Sequence, residues 1–401
     1  MNKRKKLEWI QIENFRGIKK VKLQEFGDIN VFIGKNNTGK STVLEAIYLN
    51  VTNGHLDLLG RIPFELVFYR RGLNPRDITD TEKADVEEYM EYILSYLFNS
   101  LSNKNYIRIQ SNVSQYELVL KQGSEVSPDF IEEYISGYQT AISVTKKILE
   151  ALTQDQESKD EKILEMLNQL AVEGLHPEFV LMTPKGRIVM AVIKFKHKGF
   201  VDYQIFLERN PETGRANAIL IDEYLTRGYL GTTAKFSKLL KRLDRIFKPK
   251  LESVKELLAQ QITLEIQNII ETLSEFYIIT KDGKAIPVSL LGDGTKTSLI
   301  YFYVLSGKGN YILLEEPENH LHAGLMNKVI NMILEASRYN QIFITTHSLE
   351  FLEKLLDMAV QKKTDLRIFR FEKWDKGIPK IESYDLNEAN AAVNKIGVDL
   401  R

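Results

Sequence analysis

The chain has 401 residues, 54 lysines and arginines against 54 aspartates and glutamates, no cysteine, and 43% hydrophobic residues. That composition suits a globular protein of two or three domain-sized units, or one large domain with insertions. It excludes disulfides and thiolate metal sites, and zero net charge confines any nucleic-acid surface to a local patch. The basic start, Lys3 to Lys6, leads into Glu8, Gln11 and Glu13 rather than a signal-peptide core. No apolar run reaches the length of a membrane span, so a cytoplasmic protein without membrane contact is expected.

Leu7 to Ile12 alternates apolar and polar residues as a half-buried strand does, Asn14 to Ile18 makes a turn, and Val21 to Leu23 starts a second strand. Ile29 to Ile33 then reads as a short buried strand. The next stretch, Gly34-Lys35-Asn36-Asn37-Thr38-Gly39-Lys40-Ser41, fits Gly, four residues, Gly-Lys-Ser. Thr42 and the residues to about Asn50 read as the helix that follows. A strand delivering a glycine loop onto a helix N-terminus aims backbone N–H groups at phosphate, and the helix dipole adds to the attraction. Gly34 and Gly39 allow the tight path, Lys40 is expected to reach the β- and γ-phosphates of a nucleotide, and the Ser41 hydroxyl to bind Mg²⁺.

Residues 53–69 are irregular, Asp85 to Leu97 is expected to be helical, and Asn105–Gln110 with Gln115–Gln122 forms a hairpin. Asp129 to Leu152 and Glu161 to Val172 have helical spacing and read as an inserted helical hairpin. Arg187–His197, Phe200–Arg209 and Arg215–Glu223 read as an antiparallel meander, with turns at Lys198-Gly199 and Asn210 to Gly214. Ala234–Phe247 and Leu251–Leu273 are expected helices parted at Pro249. On the first, Lys235, Lys238, Arg242 and Arg245 form a basic stripe that either meets nucleic-acid phosphates or is a solvated face. From Glu275 the texture is parallel α/β, with buried strands at Tyr311–Leu314 and Gln341–Thr345 and closing strands at Leu366–Phe371 and Pro379–Tyr384. The expected units are a first ATPase-lobe part over 1–128, the insertion over 129–174, a β meander over 175–233, a helical arm over 234–274 and a second lobe part over 275–401.

Three later stretches extend the chemistry. Ile312-Leu313-Leu314-Glu315-Glu316-Pro317 is an apolar strand ending in two carboxylates. Parallel strands end at the nucleotide edge of such sheets, so Glu315 is expected to hold Mg²⁺, directly or through water, and Glu316 to take the proton of the attacking water. Phe343 to Ser348 is a second apolar strand, ending at His347, about one helix and one strand past Glu316. That spacing places the imidazole on a neighbouring strand at the same edge, in reach of the γ-phosphate or the attacking water. Leu291-Gly292-Asp293-Gly294-Thr295 opens a further helix. Since one phosphate loop already exists, Gly292, Asp293 and Gly294 are expected to serve a nucleotide held by another copy of the chain.

The order of these motifs resembles the ABC-type ATPases of the OLD/RecF/SMC group, an AAA-like ATP-binding family. Leu7 to Ile18 looks like the group's opening, Gly34 to Ser41 its Walker A, Leu291 to Thr295 its signature loop, Ile312 to Glu316 its Walker B with the catalytic glutamate, Pro317 to His322 its D-loop and His347 its switch histidine. The likeness is strong over about residues 1–50 and 275–350. It implies an ABC-ATPase-type α/β P-loop fold with a mixed sheet, an antiparallel β subdomain and an inserted helical region. It also implies a homodimer closing head to tail on two ATP molecules, with possible DNA or a separate nuclease or effector chain as partner. Relatives act in DNA repair, chromosome maintenance or anti-phage defence. Glu315 stands where the family has aspartate, Gly292 stands where transporter-type members have serine, and no residue is placed as the Q-loop glutamine. The stretch after His347 is too short for the toprim nuclease of full-length OLD proteins, so any nuclease is expected on another chain.

The expected function is ATP hydrolysis by a dimerising motor or switch. The alternatives are the ATPase subunit of a transporter and an ATP-binding scaffold with little turnover. The long gap between Lys40 and Gly292 speaks against the transporter. A small-molecule kinase would leave His347 and the second glycine loop without a task.

Overall fold

The computed structural model describes residues 5–69, 97–98, 104–125, 175–197, 200–207, 212–230, 232–259, 265–273, 275–319, 321 and 323–395. In chain order its strands are β1 (Trp9–Phe15), β2 (Ile18–Gln24), β3 (Ile29–Gly34), β4 (His55–Leu56), β5 (Tyr106–Ser111), β6 (Gln115–Gln122), β7 (Leu175–Met182), β8 (Ile188–His197) and β9 (Phe200–Leu207). Then come β10 (Glu212–Arg215), β11 (Ala218–Ile221), β12 (Ile266–Glu271), β13 (Phe276–Thr280), β14 (Ala285–Pro287), β15 (Tyr311–Glu315), β16 (Gln341–Thr345), β17 (Leu366–Asp375) and β18 (Ile378–Asp385).

The central sheet runs β11-β15-β16-β3-β17-β18, parallel throughout except for β18 at the edge. Strands buried on both faces read as continuous apolar runs, and Ile29–Gly34 and Gln341–Thr345 are buried at every position. A second sheet, β2-β1-β5-β6-β7-β8-β9, is antiparallel throughout. The helix Lys40–Thr52 lies between the two sheets and is buried from Val43 to Thr52. A helix apolar all round is a buried helix, which explains why this one lacks a polar stripe. On the other face of the central sheet the helices Thr233–Phe247, Leu251–Ala259, Asp293–Ser306, Ala323–Ala336 and Leu349–Lys362 bury Phe236, Leu299, Ile330, Leu355 and their neighbours in one core. All parallel strands therefore deliver their C-terminal ends to one edge, and the phosphate loop sits there.

The structure redraws three expected elements. Ala218–Ile221 does not close the meander; it pairs in parallel with β15, Ile221 opposite Leu314, and so belongs to the central sheet. The helix expected over Leu251 to Leu273 ends at Ala259, and Ile266–Glu271 is a strand paired with β13. The meander, whose first strand is expected at Arg187–His197, opens instead with β7, which contains Pro177 where the pairing with β8 shifts register between Pro177 and Phe179. The expected helices over 129–152 and 161–172, and that over 85–97 apart from Leu97, fall outside the described residues. The helix Pro63–Tyr69 occupies a stretch that shows no regular period.

Candidate nucleotide-binding and hydrolysis site

The loop after β3 has the backbone that bound phosphate requires. Gly34 sits at φ 137, and a Cβ there would come within 2.4 Å of the Phe371 carbonyl oxygen on β17. Asn37 and Gly39 are also left-handed, at φ 61 and 97. Gly39 caps the helix without a side-chain hydrogen bond, and the first turn holds no acidic residue, so the helix N-terminus faces the loop electropositive. Lys40 curls over the loop and donates from Nζ to the carbonyls of Gly34 at 2.7 Å and Lys35 at 2.8 Å. Thr38 Oγ1 donates to the same Lys35 carbonyl at 2.8 Å. Lys35, Asn36 and Asn37 are exposed, and Ser41 and Thr42 half-buried on the first helical turn. Burial pulls the Lys40 ammonium down to about 8, against the opposing pull of Glu316.

The tips of β15 and β16 complete the edge. β16 lies between β15 and β3, with Glu315 opposite Thr345 and Thr345 opposite Phe32. Glu316 leaves β15 in the left-handed region at φ 47, an uncommon conformation for a non-glycine residue, and its N–H donates to the Thr345 carbonyl at 2.9 Å. The bend turns its carboxylate towards His347, whose Nε2 lies 3.0 Å from Oε1, while Asn319 Nδ2 donates to Oε2 at 3.1 Å. Burial, and then the neighbouring Lys40, hold the imidazole below its usual range, against the pull of Glu316. The imidazole and the Glu316 carboxylate thus stand side by side at the edge that faces the phosphate loop.

Other groups at this edge were not marked by the sequence. Glu318 is folded under His347, its Oε1 accepting from Thr346 Oγ1 at 2.6 Å and from the backbone N–H of His347 and Ser348 at 3.1 and 3.2 Å. Asp222, buried at the end of β11, accepts from the Leu225 N–H at 2.9 Å and shares a small cleft with Glu315, Glu316, Thr297 and Asn319. The cue for Glu318 was its place two residues past a strand-end glutamate. Asp222 had none, because its strand was assigned to the other sheet.

The second glycine loop is exposed and extended. Gly292 has φ −63, nothing lies within 4 Å of a Cβ built there, and Asp293 pairs with Lys296 at 3.1 Å. Among the described residues no hydrogen bond or ion pair joins 291–295 to the phosphate loop of the same chain. His320 and His322 of the expected D-loop lie outside the described residues. The basic stripe borders a cavity of about 810 Å³, where Lys238, Arg242 and Arg245 face Tyr277, Pro287, Leu273 and Leu290. None of Lys235, Lys238, Arg242 and Arg245 has an ion-pair partner among the described residues.

Ser41 and Glu315 offer only hard oxygen donors, one from the helix after the loop and one from a neighbouring strand tip. That set suits Mg²⁺, which takes one or two protein ligands and completes its shell with water and phosphate. No cluster of three acidic or histidine ligands exists among the described residues, and this mode of binding needs none.

A phosphate loop by itself marks a nucleotide binder; the glutamate bent out of the Walker B strand onto a histidine of the next strand adds the parts for hydrolysis, and together they define a P-loop nucleotidase. The family model described as AAA ATPase domain matches residues 6–352, and the chain belongs to that family of ATPases. It is 23% identical to an ATP/GTP phosphatase of Helicobacter pylori over 375 residues, covering 89% of each chain. It is 24% identical over 191 residues to the DNA replication and repair protein RecF of Staphylococcus carnosus, covering 42% of this chain and 50% of that one. A shorter match, 29% identical over 124 residues, links it to the endonuclease GajA of Bacillus cereus, covering 29% of this chain and 20% of that one. No described helix is long and apolar enough to cross a membrane.

Proposed function

We propose that the chain binds ATP with Mg²⁺ at Gly34 to Thr42 and hydrolyses it as a switch in DNA repair or anti-phage defence, together with a separate effector chain. The contact of Glu316 with His347 carries this reading: a carboxylate beside the Lys40 ammonium is placed to accept the proton of a water attacking the γ-phosphate. Lys40 and the loop N–H groups hold the β- and γ-phosphates, Ser41 and Glu315 would hold the metal, which would supply positive charge against the phosphates, and His347 stands beside Glu316 at the same edge. Gly292 to Gly294, with Gly292 and Asp293 exposed and, among the described residues, no hydrogen bond or ion pair to the phosphate loop of the same chain, serves the nucleotide of a second copy in a head-to-tail homodimer. The names of the relatives support the pathway: one is a nucleotide phosphatase, one a DNA repair protein and one an endonuclease. The cations Lys235, Lys238, Arg242 and Arg245 supply a surface for DNA or for an acidic partner.

Replacing Glu316 by glutamine tests the assignment, because it keeps the side chain's size and one acceptor oxygen and removes the base. Turnover is expected to fall by about 10²–10⁴-fold with ATP binding retained. Wild-type phosphate release from Glu316→Gln would overturn the role.

A further inference from the structure

We propose that Glu318 is a positioning residue of ATP hydrolysis, which fixes the turn carrying His347 so that the imidazole meets Glu316. Three donors from consecutive residues converge on one of its oxygens: the Thr346 hydroxyl and the N–H groups of His347 and Ser348, at 2.6, 3.1 and 3.2 Å. The turn has little else to define it. Ser348 caps the next helix through its hydroxyl to the Phe351 N–H, and its own N–H also reaches the Thr346 hydroxyl at 3.0 Å. The backbone of His347 is thus held from below by the Glu318 side chain, while its Nε2 is 3.0 Å from Glu316 on the other side.

Glu318 and Glu316 belong to one short turn. Asn319 N–H donates to the Glu316 carbonyl at 3.0 Å, and its side-chain amide to the Glu316 carboxylate at 3.1 Å. One rigid piece therefore carries both the glutamate that faces the water and the glutamate that anchors the histidine. Burying a carboxylate here is costly: desolvation raises Glu318 above the usual carboxylate range, and Glu316 adds to the rise. Its second oxygen is buried without a hydrogen-bond partner among the described residues. A shorter hydroxyl side chain would avoid that cost, but could not span to three donors on the neighbouring strand end. The groups around it are Glu316 on its own turn, Thr346, His347 and Ser348 after β16, and the buried Tyr301 on the helix Asp293–Ser306.

The inference rests on the reading of Glu316 and His347 given above, and kinetics on the full-length protein separate the two. Glu318→Ala is expected to lower kcat about tenfold or more while ATP affinity stays within about twofold, because no contact to nucleotide is lost. Glu318→Gln keeps an acceptor oxygen at the same place and should recover most of the rate, which a simple need for charge would not allow. Thr346→Val removes one of the three donors and should lower kcat about threefold, and it tests the idea even if Glu318→Ala does not fold. Because Glu318 acts through the histidine, adding Glu318→Ala to His347→Ala should change kcat by less than about twofold. Full activity in Glu318→Ala, no recovery in Glu318→Gln, or additive losses in the double variant overturn the inference. Normal turnover in Glu316→Gln would instead overturn the reading beneath it.

Discussion

Lys40 is the residue on which most of the site's charge logic turns. Burial outweighs the pull of Glu316, so the Lys40 ammonium is held near 8, well below an ordinary lysine, and it leans on two carbonyls. A bound triphosphate favours the charged form and lifts the value again. Above about pH 8 the free protein must therefore take up a proton to bind ATP, and affinity should fall up to about tenfold per pH unit. Titration calorimetry at pH 8 without metal, in two buffers of different ionisation enthalpy, should show uptake of about half a proton. Binding that is flat between pH 7 and 9 would contradict the depressed value. The strand, glycine turn and helix around the loop were legible, since Gly34 and Gly39 stand where the backbone is left-handed. Glu318 and Asn319 were not: their roles depend on a left-handed backbone at Glu316 that folds them under the next strand, and no residue type announces that bend.

The element that joins the two sheets, the helix Lys40–Thr52, is also tied to the N-terminal hairpin by a buried ion pair. Arg16, left-handed at φ 51 in the turn after β1, bonds the Glu45 carboxylate, and its second nitrogen donates to the Val67 carbonyl at 3.0 Å. Glu45 is fully buried and Arg16 nearly so. Removing Arg16 takes the countercharge away from a buried carboxylate, so Arg16→Leu should cost about 3–5 kcal/mol, read by urea denaturation, whereas an exposed pair would cost under about 1. A loss below that exposed-pair level would mean that Glu45 finds another cation. Each element misplaced by the sequence has its own physical cause. In β12, Ile266 and Ile269 are the buried positions, three apart because the strand has an irregular register, and that interval imitates a helix. In β11, four apolar residues carry no period that distinguishes an antiparallel end from a buried parallel strand, and partners settle it. In β7 the proline sits at a register shift, where no ladder hydrogen bond is forfeited to the same degree.

For the whole molecule, the proposed head-to-tail arrangement makes each reaction centre a joint product of two chains. Complementation tests it. Lys40→Ala removes the phosphate lysine, and Gly292→Glu adds a negative charge at an exposed position where nothing obstructs the new side chain. Each variant alone should be inactive, and an equimolar mixture should regain about a quarter of wild-type turnover, since half of the dimers are mixed and each holds one intact centre. A mixture as inactive as its parts would leave the chain acting alone. The central sheet was legible where strands end in charged or glycine motifs, and the antiparallel sheet where turn residues flank its hairpins.

The position of β3 has a consequence for how the protein comes into being. The strand that carries the phosphate loop is flanked by β16 and β17, both from the last quarter of the chain, and the buried Gln341 side chain bonds the backbone of Leu7 and Gly27 at 2.8 to 3.0 Å. The first three hundred residues contain the loop and the helix after it but neither of the strands that flank β3. A chain stopped before β16 and β17 lacks both neighbours of β3 and is therefore expected not to bind ATP.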